Sequence, residues 1–368
     1  MRVAIVSYFK AAYGGNFISE MSLLADYISI NNNSVFFIFP YEAMGREWCN
    51  ELALKGYNVI FIALNRKYLD TYKELSSICK REKIDIIYSN FGSYDVPSAL
   101  VSLFHHQIKH FINARSAMQE PCNFKRKLFR YIRNKLIYSR STVISIGKDI
   151  SNEYLTWGFS KDRINPPLRG IDFERLVLGE DRNTIRSRFG IKENDMVFLM
   201  MGYNIEIKGI DIALESFSLA KRKDVKNEYV LAIVVASHLD EMNDFIVKKY
   251  SRIPSWVKLL PPNNNVGEYY RLSDFFISAS RTEGFSTAVG EAIRMKLPVI
   301  ISDIASTQWS IKYRSVKQFI SESSEDLYNA IITYSCDEAI KEESAELIYG
   351  DLNILQWVKS VSKILGIE

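Results

Sequence analysis

The sequence predicts an α/β protein of two doubly wound domains facing a cleft, and three observations carry that prediction. Apolar runs of three to seven residues recur along the chain, each followed by a polar or glycine-bearing turn and a longer segment with helical spacing. Strands that are apolar on both faces belong to parallel sheets covered by helices on each side. After about residue 180 the pattern starts again with "MVFLMMG", and just before it "NPPLRGIDFERLVLGED" (165–181) breaks the rhythm with proline and glycine. At 368 residues, 47% hydrophobic and 24% charged, the chain is long and apolar enough for two cores. The domains are expected at 1–172 and 173–352.

In chain order, "VAIVSYF" (Val3–Phe9) opens the first half as a strand, the Gly14–Gly15 turn follows, and "FISEMSLLADYISI" reads as a helix. "VFFIFP", "NVIFIAL", "IDIIYSN", "IKHFINA" and "STVISIG" supply the remaining strands of that half. In the second half the strands are "MVFLMMG" (Met196–Gly202), "YVLAIVVA", "VKLLP", "DFFISAS" and "PVIIS". Ligands of such folds lie beyond the carboxyl ends of the strands, so three turns are candidate sites. At the first, Gly14 and Gly15 let backbone amides approach an anion or a sugar, or simply make a tight turn. At the second, Lys208 and Gly209 stand at the start of a helix carrying Ile212, Leu214 and Phe217. A lysine there opposes the helix macrodipole unless an anion is held, so it is either a phosphate ligand or a solvated side chain. The third is "RTEGFSTAVGEAIRMKLPVIISD" (Arg281–Asp303), a loop leading into a helix that Ser286 or Thr287 can cap. Glu283 falls on the loop and Glu291 about one turn into the helix, with Gly284, Ser286, Thr287, Ala288 and Gly290 between them. Free amides at the helix start suit a diphosphate, and a carboxylate on either side suits the hydroxyls of a sugar and of a ribose. The alternative is a pair of surface glutamates without a ligand.

Composition removes several other classes. The opening run lacks the basic region and longer apolar stretch of a secretory signal, and no segment approaches the ~18 apolar residues of a membrane span. A cytoplasmic protein is expected. Four cysteines (Cys49, Cys79, Cys122, Cys336) show no CxxC spacing, and the four histidines are few and widely placed apart from the His105–His106 pair and His110, so no metal is expected. Neither GxGxxG nor GxxxxGK(S/T) occurs, which removes the dinucleotide and P-loop fingerprints. The net charge of +4 is concentrated: residues 121–140 hold seven Lys/Arg and no acid, leaving 40 basic against 43 acidic residues elsewhere. Within 123–138, Phe124, Leu128, Ile132 and Leu136 repeat every four residues, joined by Phe129 and Ile137. Lys125, Arg126, Lys127, Arg130, Arg133 and Lys135 occupy positions between them. Such a helix either buries its apolar stripe and solvates its basic face, or lies on an anionic membrane. Both hold if the stripe docks inward and the basic face meets lipid. One short basic helix without a reading motif gives no ground for nucleic-acid binding.

"SRTEGFSTAVGEAIRMKLPVIISD" resembles the E-x7-E signature of the retaining GT-B glycosyltransferases of family four. "VAIVSYFKAAYGGN" is similar to that family's first strand and glycine turn, and "STVISIGKDISNEYLTWGFSKDRINPPLRGID" to the close of its N-domain. "GYNIEIKGIDIALESF" resembles its phosphate-lysine motif, and "YYRLSDFFISAS" the strand feeding the signature. "YGDLNILQWVKSVSKILGIE" resembles its last helix, which crosses back to the N-domain, so 353–368 would join 1–172. The resemblance implies a GT-B fold of two Rossmann-like domains and a nucleotide-diphosphate sugar donor, UDP or GDP. It implies a glycan or lipid-linked acceptor, work on cell-surface polysaccharide at the inner face of the membrane, and no further cofactor. By position, Glu283 would contact the donor sugar and stabilise charge at its anomeric carbon. Gly284, Phe285, Ser286 and Thr287 would line the sugar and β-phosphate, and Glu291 would hold the ribose hydroxyls. Lys208 would neutralise the departing diphosphate in place of a metal, in keeping with the absence of any DxD. Gly14, Gly15, Tyr203 and Asn204 would lie on the donor side.

Two departures matter. The family carries an arginine after the glycine of its phosphate motif, where this chain has Tyr203; Arg281 or Arg169 is the candidate replacement. Where many members place a histidine at the end of an N-domain strand, "IIYSNFG" and "FINARSA" offer Asn90, Asn113 and Ser116 on the acceptor side. These departures keep a non-catalytic sugar-nucleotide or glycan-binding relic open as an alternative. Another GT-B enzyme, such as a sugar-nucleotide epimerase, fits less well with the E-x7-E spacing and Lys208.

Overall fold

Every strand pairing in the computed structural model is parallel. It describes residues 1–367 except 31, 64–67, 116–123, 178, 203, 224–227, 236 and 264, and all but the side chain of Arg126 within the helix that contains it. The chain divides into two units, Met1–Gly170 with Ile354–Glu368, and Ile171–Asn353.

The first unit runs β1 (Arg2–Ser7), α1 (Gly15–Ile30), β2 (Ser34–Pro40), α2 (Glu47–Leu54), β3 (Asn58–Ile62), α3 (Tyr68–Arg81) and β4 (Ile86–Asn90). It continues through α4 (Asp95–Phe104), β5 (Lys109–Ala114), α5 (Phe124–Ile137), β6 (Ser141–Ser145), α6 (Lys148–Thr156) and β7 (Ile164–Asn165). The second unit runs α7 (Arg182–Arg188), β8 (Met196–Met201), α8 (Ile210–Lys223), β9 (Tyr229–Val234), α9 (Leu239–Tyr250), β10 (Val257–Leu260) and α10 (Gly267–Leu272). It ends with β11 (Phe275–Ser278), α11 (Thr287–Arg294), β12 (Val299–Ser302), β13 (Val316–Phe319), α12 (Ser324–Thr333) and α13 (Glu338–Asp351), after which α14 (Ile354–Leu365) rejoins the first unit.

The strand orders are β3-β2-β1-β4-β5-β6-β7 and β10-β9-β8-β11-β12-β13. Each sheet therefore reverses its winding once, at β1/β4 and at β8/β11, and ligands of open parallel sheets gather at such a reversal. The continuous apolar runs follow from two-sided burial. In β1, Val3 and Ile5 enter one core while Ala4 and Val6 enter the other. In β8, Val197 and Leu199 face one side and Phe198 and Met200 the opposite one. Two strands fall outside the sequence-based expectation, the two-residue β7 and the polar "VKQF" of β13, both at sheet edges. Short or polar edge strands protect a sheet from further pairing, and that same polarity hides them from a hydrophobicity reading.

The last helix packs on α1 through Ile354, Trp357, Val358, Val361 and Leu365, in one core with Phe17, Met21 and Leu24. Gly170 lies against this helix so closely that a Cβ there would stand 2.6 Å from Cβ of Trp357.

Candidate functional site

At the β8/β11 reversal two loops lie side by side. Gly202 follows β8 with φ of +144°, and a Cβ on it would stand 2.6 Å from Lys208 Cγ, so the lysine stem crosses a bare backbone. The loop is tied to itself: the Asn204 side chain accepts from Ile207 N at 2.8 Å, and its carbonyl accepts from Lys208 N at 2.9 Å. Gly209 takes φ of +62°, and a Cβ there would be 2.0 Å from the Ala279 carbonyl oxygen. Arg281 N donates to Ile207 O at 2.9 Å, completing the bridge between the loops. This packing brings together two residues 75 positions apart: Lys208 Nζ donates to Glu283 Oε1 at 2.5 Å. Ser280 Oγ donates to the same oxygen at 2.8 Å, and Ser302 Oγ holds Ser280 by its carbonyl at 2.6 Å.

The signature helix departs from the sequence reading in detail. Ser286 is the N-cap of α11, but its side chain makes no capping hydrogen bond, so neither it nor Thr287 caps in the expected way. That leaves the first amides of α11 without a side-chain acceptor from the cap. Phe285 packs at 4.8 Å from the Trp309 ring. Gly290 lies within α11, and its bareness has a packing cause: a Cβ there would stand 2.4 Å from Ile171 Cδ1. Glu291 is 2% exposed and is held by two residues the sequence reading did not single out. Arg175 pairs with its Oε1, and Tyr270 Oη donates to its Oε2 at 2.7 Å. Burial and then the Glu291 charge push the Tyr270 hydroxyl well above its usual range, so it remains a donor. Burial works against the Arg175 cation, but Glu291, Tyr270 and Asp172 together outweigh it and raise its pKa.

Arg281 is committed elsewhere. It makes a two-pronged contact with Asp211 at 2.9 and 2.8 Å and donates to the Glu206 carbonyl at 2.6 Å. Asp211 answers in kind: burial opposes its charge, yet the hydrogen bonds and charge of Arg281 hold its carboxyl below the usual range. Arg281 thus braces the two loops through Asp211 and the Glu206 carbonyl. Tyr203 lies outside the described residues.

At the β1/β4 reversal, Gly15 begins α1 with φ of +54°, and Ile18 N donates to Gly14 O at 3.2 Å. Just beyond, the buried Glu20 pairs with Arg115 Nη1 at 2.6 Å and also accepts from the Asn16 side chain. Arg115, following β5, lies 5.3 Å over the Phe17 ring. "FISEMSLLADYISI" carries two acids, Glu20 and Asp26, and Glu20 is the one that is buried. Asn90 and Asn113 face each other in register, both buried, with Asn113 donating to Asn90 at 2.7 Å. Ser116 lies outside the described residues.

Helix α5 reverses the expected orientation. Its apolar side chains point outward, Phe124 at 78%, Phe129 at 70% and Leu136 at 66% exposed, with Leu128 and Ile132 also exposed. Its polar side docks: Asn134 is buried, Arg133 bonds to it at 3.0 Å, and Arg130 lies 5.1 Å over the Trp157 ring. Beneath them is a cavity of about 10 Å³, bordered by Asp95, Tyr138 and these three residues, with room for one water. In the surface under α5, Asp95, pushed up to about 6 by burial and bonded to Ser89 at 2.5 Å, stands among Ile112, Tyr138, Tyr154 and Phe159. The expectation that the apolar stripe turns inward is thus corrected.

Residues 181–349 match the family model for glycosyl transferases group 1. The chain is 22% identical to the Bacillus subtilis protein named "Putative teichuronic acid biosynthesis glycosyltransferase TuaC", over 72% of this chain and 65% of that protein's length, less than two thirds. In three dimensions it is similar to a glycosyltransferase from Rickettsia africae, with a TM-score of 0.80 and 17% identity over 99% and 97% of the two chains. It is similar to Anabaena HepE, crystallised with UDP-glucose, with a TM-score of 0.79 and 13% identity over 100% and 99%. The two parallel Rossmann-like sheets are those of the GT-B architecture.

Proposed function

We propose, starting from the match of residues 181–349 to the group 1 glycosyl transferases, that the chain transfers a sugar with retention from a UDP- or GDP-sugar. The acceptor in this reading is a glycan or lipid-linked glycan in cell-surface polysaccharide assembly, as the name of TuaC suggests and the UDP-glucose complex of HepE supports for the donor. One observation carries it: Lys208 and Glu283, from two loops at the sheet reversal, meet at 2.5 Å. A cation and a carboxylate so placed match the two charges that develop as a glycosyl bond to diphosphate breaks.

The acceptor hydroxyl attacks the anomeric carbon on the face the diphosphate leaves. The new C–O bond forms as the sugar–phosphate bond breaks, and the hydroxyl proton passes to a phosphate oxygen. Lys208 stabilises the departing diphosphate, Glu283 faces the sugar, and Glu291 holds the ribose. Purified protein is to be screened for binding and turnover with UDP-, GDP-, ADP- and CMP-sugars, with Glu283→Ala and Glu291→Ala alongside. One donor that turns over in the wild type and fails in both variants is expected. A second reading, a non-catalytic sugar-nucleotide binder, is favoured by the engagement of Arg281 with Asp211. A donor that binds but never turns over, even with membrane lipid extract, selects it.

The same proposal seats the enzyme on the inner, anionic face of the cell membrane through α5. Among the described residues no helix is long and apolar enough to cross a membrane. The exposed Phe124, Phe129 and Leu136 supply apolar area to insert, and Lys125, Lys127 and Lys135 supply about 1 kcal/mol each near anionic lipid. Wild-type protein is expected to float with phosphatidylglycerol vesicles and not with neutral ones. Phe129→Ser with Leu136→Ser should lower that partitioning by at least about tenfold. Flotation that ignores lipid charge removes this part of the proposal.

A further inference from the structure

We infer that Arg175 and Tyr270 are positioning residues that preset Glu291 for a vicinal diol, and so give the site its preference for ribonucleotides. The inference rests on the donor reading above and deepens it. Glu291 is almost wholly buried, and a buried carboxylate without partners is costly. Here Arg175 occupies Oε1 and Tyr270 occupies Oε2, one donor on each oxygen. An ionised carboxylate has about four lone-pair positions. Among the described residues two therefore remain, one per oxygen, and a rigid pair of neighbouring hydroxyls matches that number.

The clamp also fixes direction. Tyr270 Oη is within 3.3 Å of the Ala288 carbonyl as well, so its ring position is tied to the first turn of α11. Ile171, four residues before Arg175, packs on Gly290, which presses the Arg175 segment onto the same helix. The Glu291 side chain is thus held from both oxygens by groups anchored to its own helix. The Nε of Arg175 is buried and has no hydrogen-bond partner among the described residues, which leaves one donor of the clamp unspent.

The alternative is that Arg175 only fastens the 171–176 segment to α11, and the two differ in what they do to a missing hydroxyl. Calorimetric binding of UDP and 2′-deoxy-UDP, with GDP and 2′-deoxy-GDP in parallel, is measured for wild type, Arg175→Met, Arg175→Lys and Tyr270→Phe. In the wild type the ribonucleotide should bind roughly tenfold more tightly than its deoxy form, the scale of one hydrogen bond to a charged group. In Arg175→Met and Tyr270→Phe that ratio should fall toward one, while inorganic diphosphate competes as it does in the wild type; Arg175→Lys should recover part of the ratio. If Arg175→Met does not fold, Tyr270→Phe alone carries the test. A ratio unchanged in folded variants overturns the inference and leaves the donor reading standing. If the wild type binds no nucleoside diphosphate, the donor reading falls and takes the inference with it.

Discussion

Lys208→Ala is expected to lower kcat/KM by roughly 10²–10³-fold, the effect of removing one preorganised charge from the oxygen atoms that gain charge in the transition state. The side chain has no comparable structural task, since its partner Glu283 keeps the Ser280 hydrogen bond. The pair is partly open to solvent, so screening limits its share in stability. The loss should therefore fall on catalysis and on UDP or GDP affinity, with little change in unfolding temperature. In the free protein the ammonium is engaged with Glu283, and a diphosphate must draw it away or share it. Lys208→Ala with Glu283→Ala tests this. If the lysine acted only by orienting the glutamate, the double variant would be no worse than Glu283→Ala alone. Turnover of Lys208→Ala near the wild-type rate would remove the lysine from the mechanism.

Gly209→Ala should cost about 3 kcal/mol or more and abolish activity at temperatures where the variant still folds. Two costs add at this residue. The left-handed backbone at φ +62° penalises any Cβ, and the added methyl would land 2.0 Å from the Ala279 carbonyl. The loops must part to admit it, and they are the loops that carry Lys208 and Glu283. Gly45→Ala is the matched control: φ is +81° and nothing lies within 4 Å, so it should cost only about 1 kcal/mol. Thermal unfolding of both variants beside donor turnover separates strain from collision. Equal effects at the two glycines would mean that the loop contact yields easily.

Much of this site is legible before any coordinates. Lys208 and Glu283 each lie on the loop that follows an apolar strand run, and a parallel sheet with one reversal leaves few places where such loops can meet. Arg175 is not legible in the same way: it lies in the stretch between the two halves, where no periodicity ties a residue to a face. Tyr270 reads as one more aromatic in "EYYRLSDFF", and only its 2.7 Å bond to Glu291 distinguishes it from packing. Gly290 reads only as one of the small residues between the two glutamates, whereas the contact it makes room for is Ile171. Helix α5 is the clearest limit. Its spacing shows that two faces exist, but which one docks depends on the surface beneath, where Asp95 stands among Ile112, Tyr138, Tyr154 and Phe159, and nothing within the helix records that surface.

The return of α14 to α1 has a consequence for how the protein is made. As the ribosome releases residues 1–170, the first unit has its whole sheet but lacks Trp357, Val358, Val361 and Leu365 from its core. The second unit, roughly 180 residues, must then be synthesised before that gap can be filled, an interval of roughly 10–40 s at ordinary translation speeds. Until then α1 presents an apolar groove that any passing chain can enter, so the nascent first unit is a natural client for a chaperone while the inserted second unit folds on its own contacts. A stop codon before residue 354 would accordingly spare the unit it adjoins in sequence and unsettle the one at the other end of the chain.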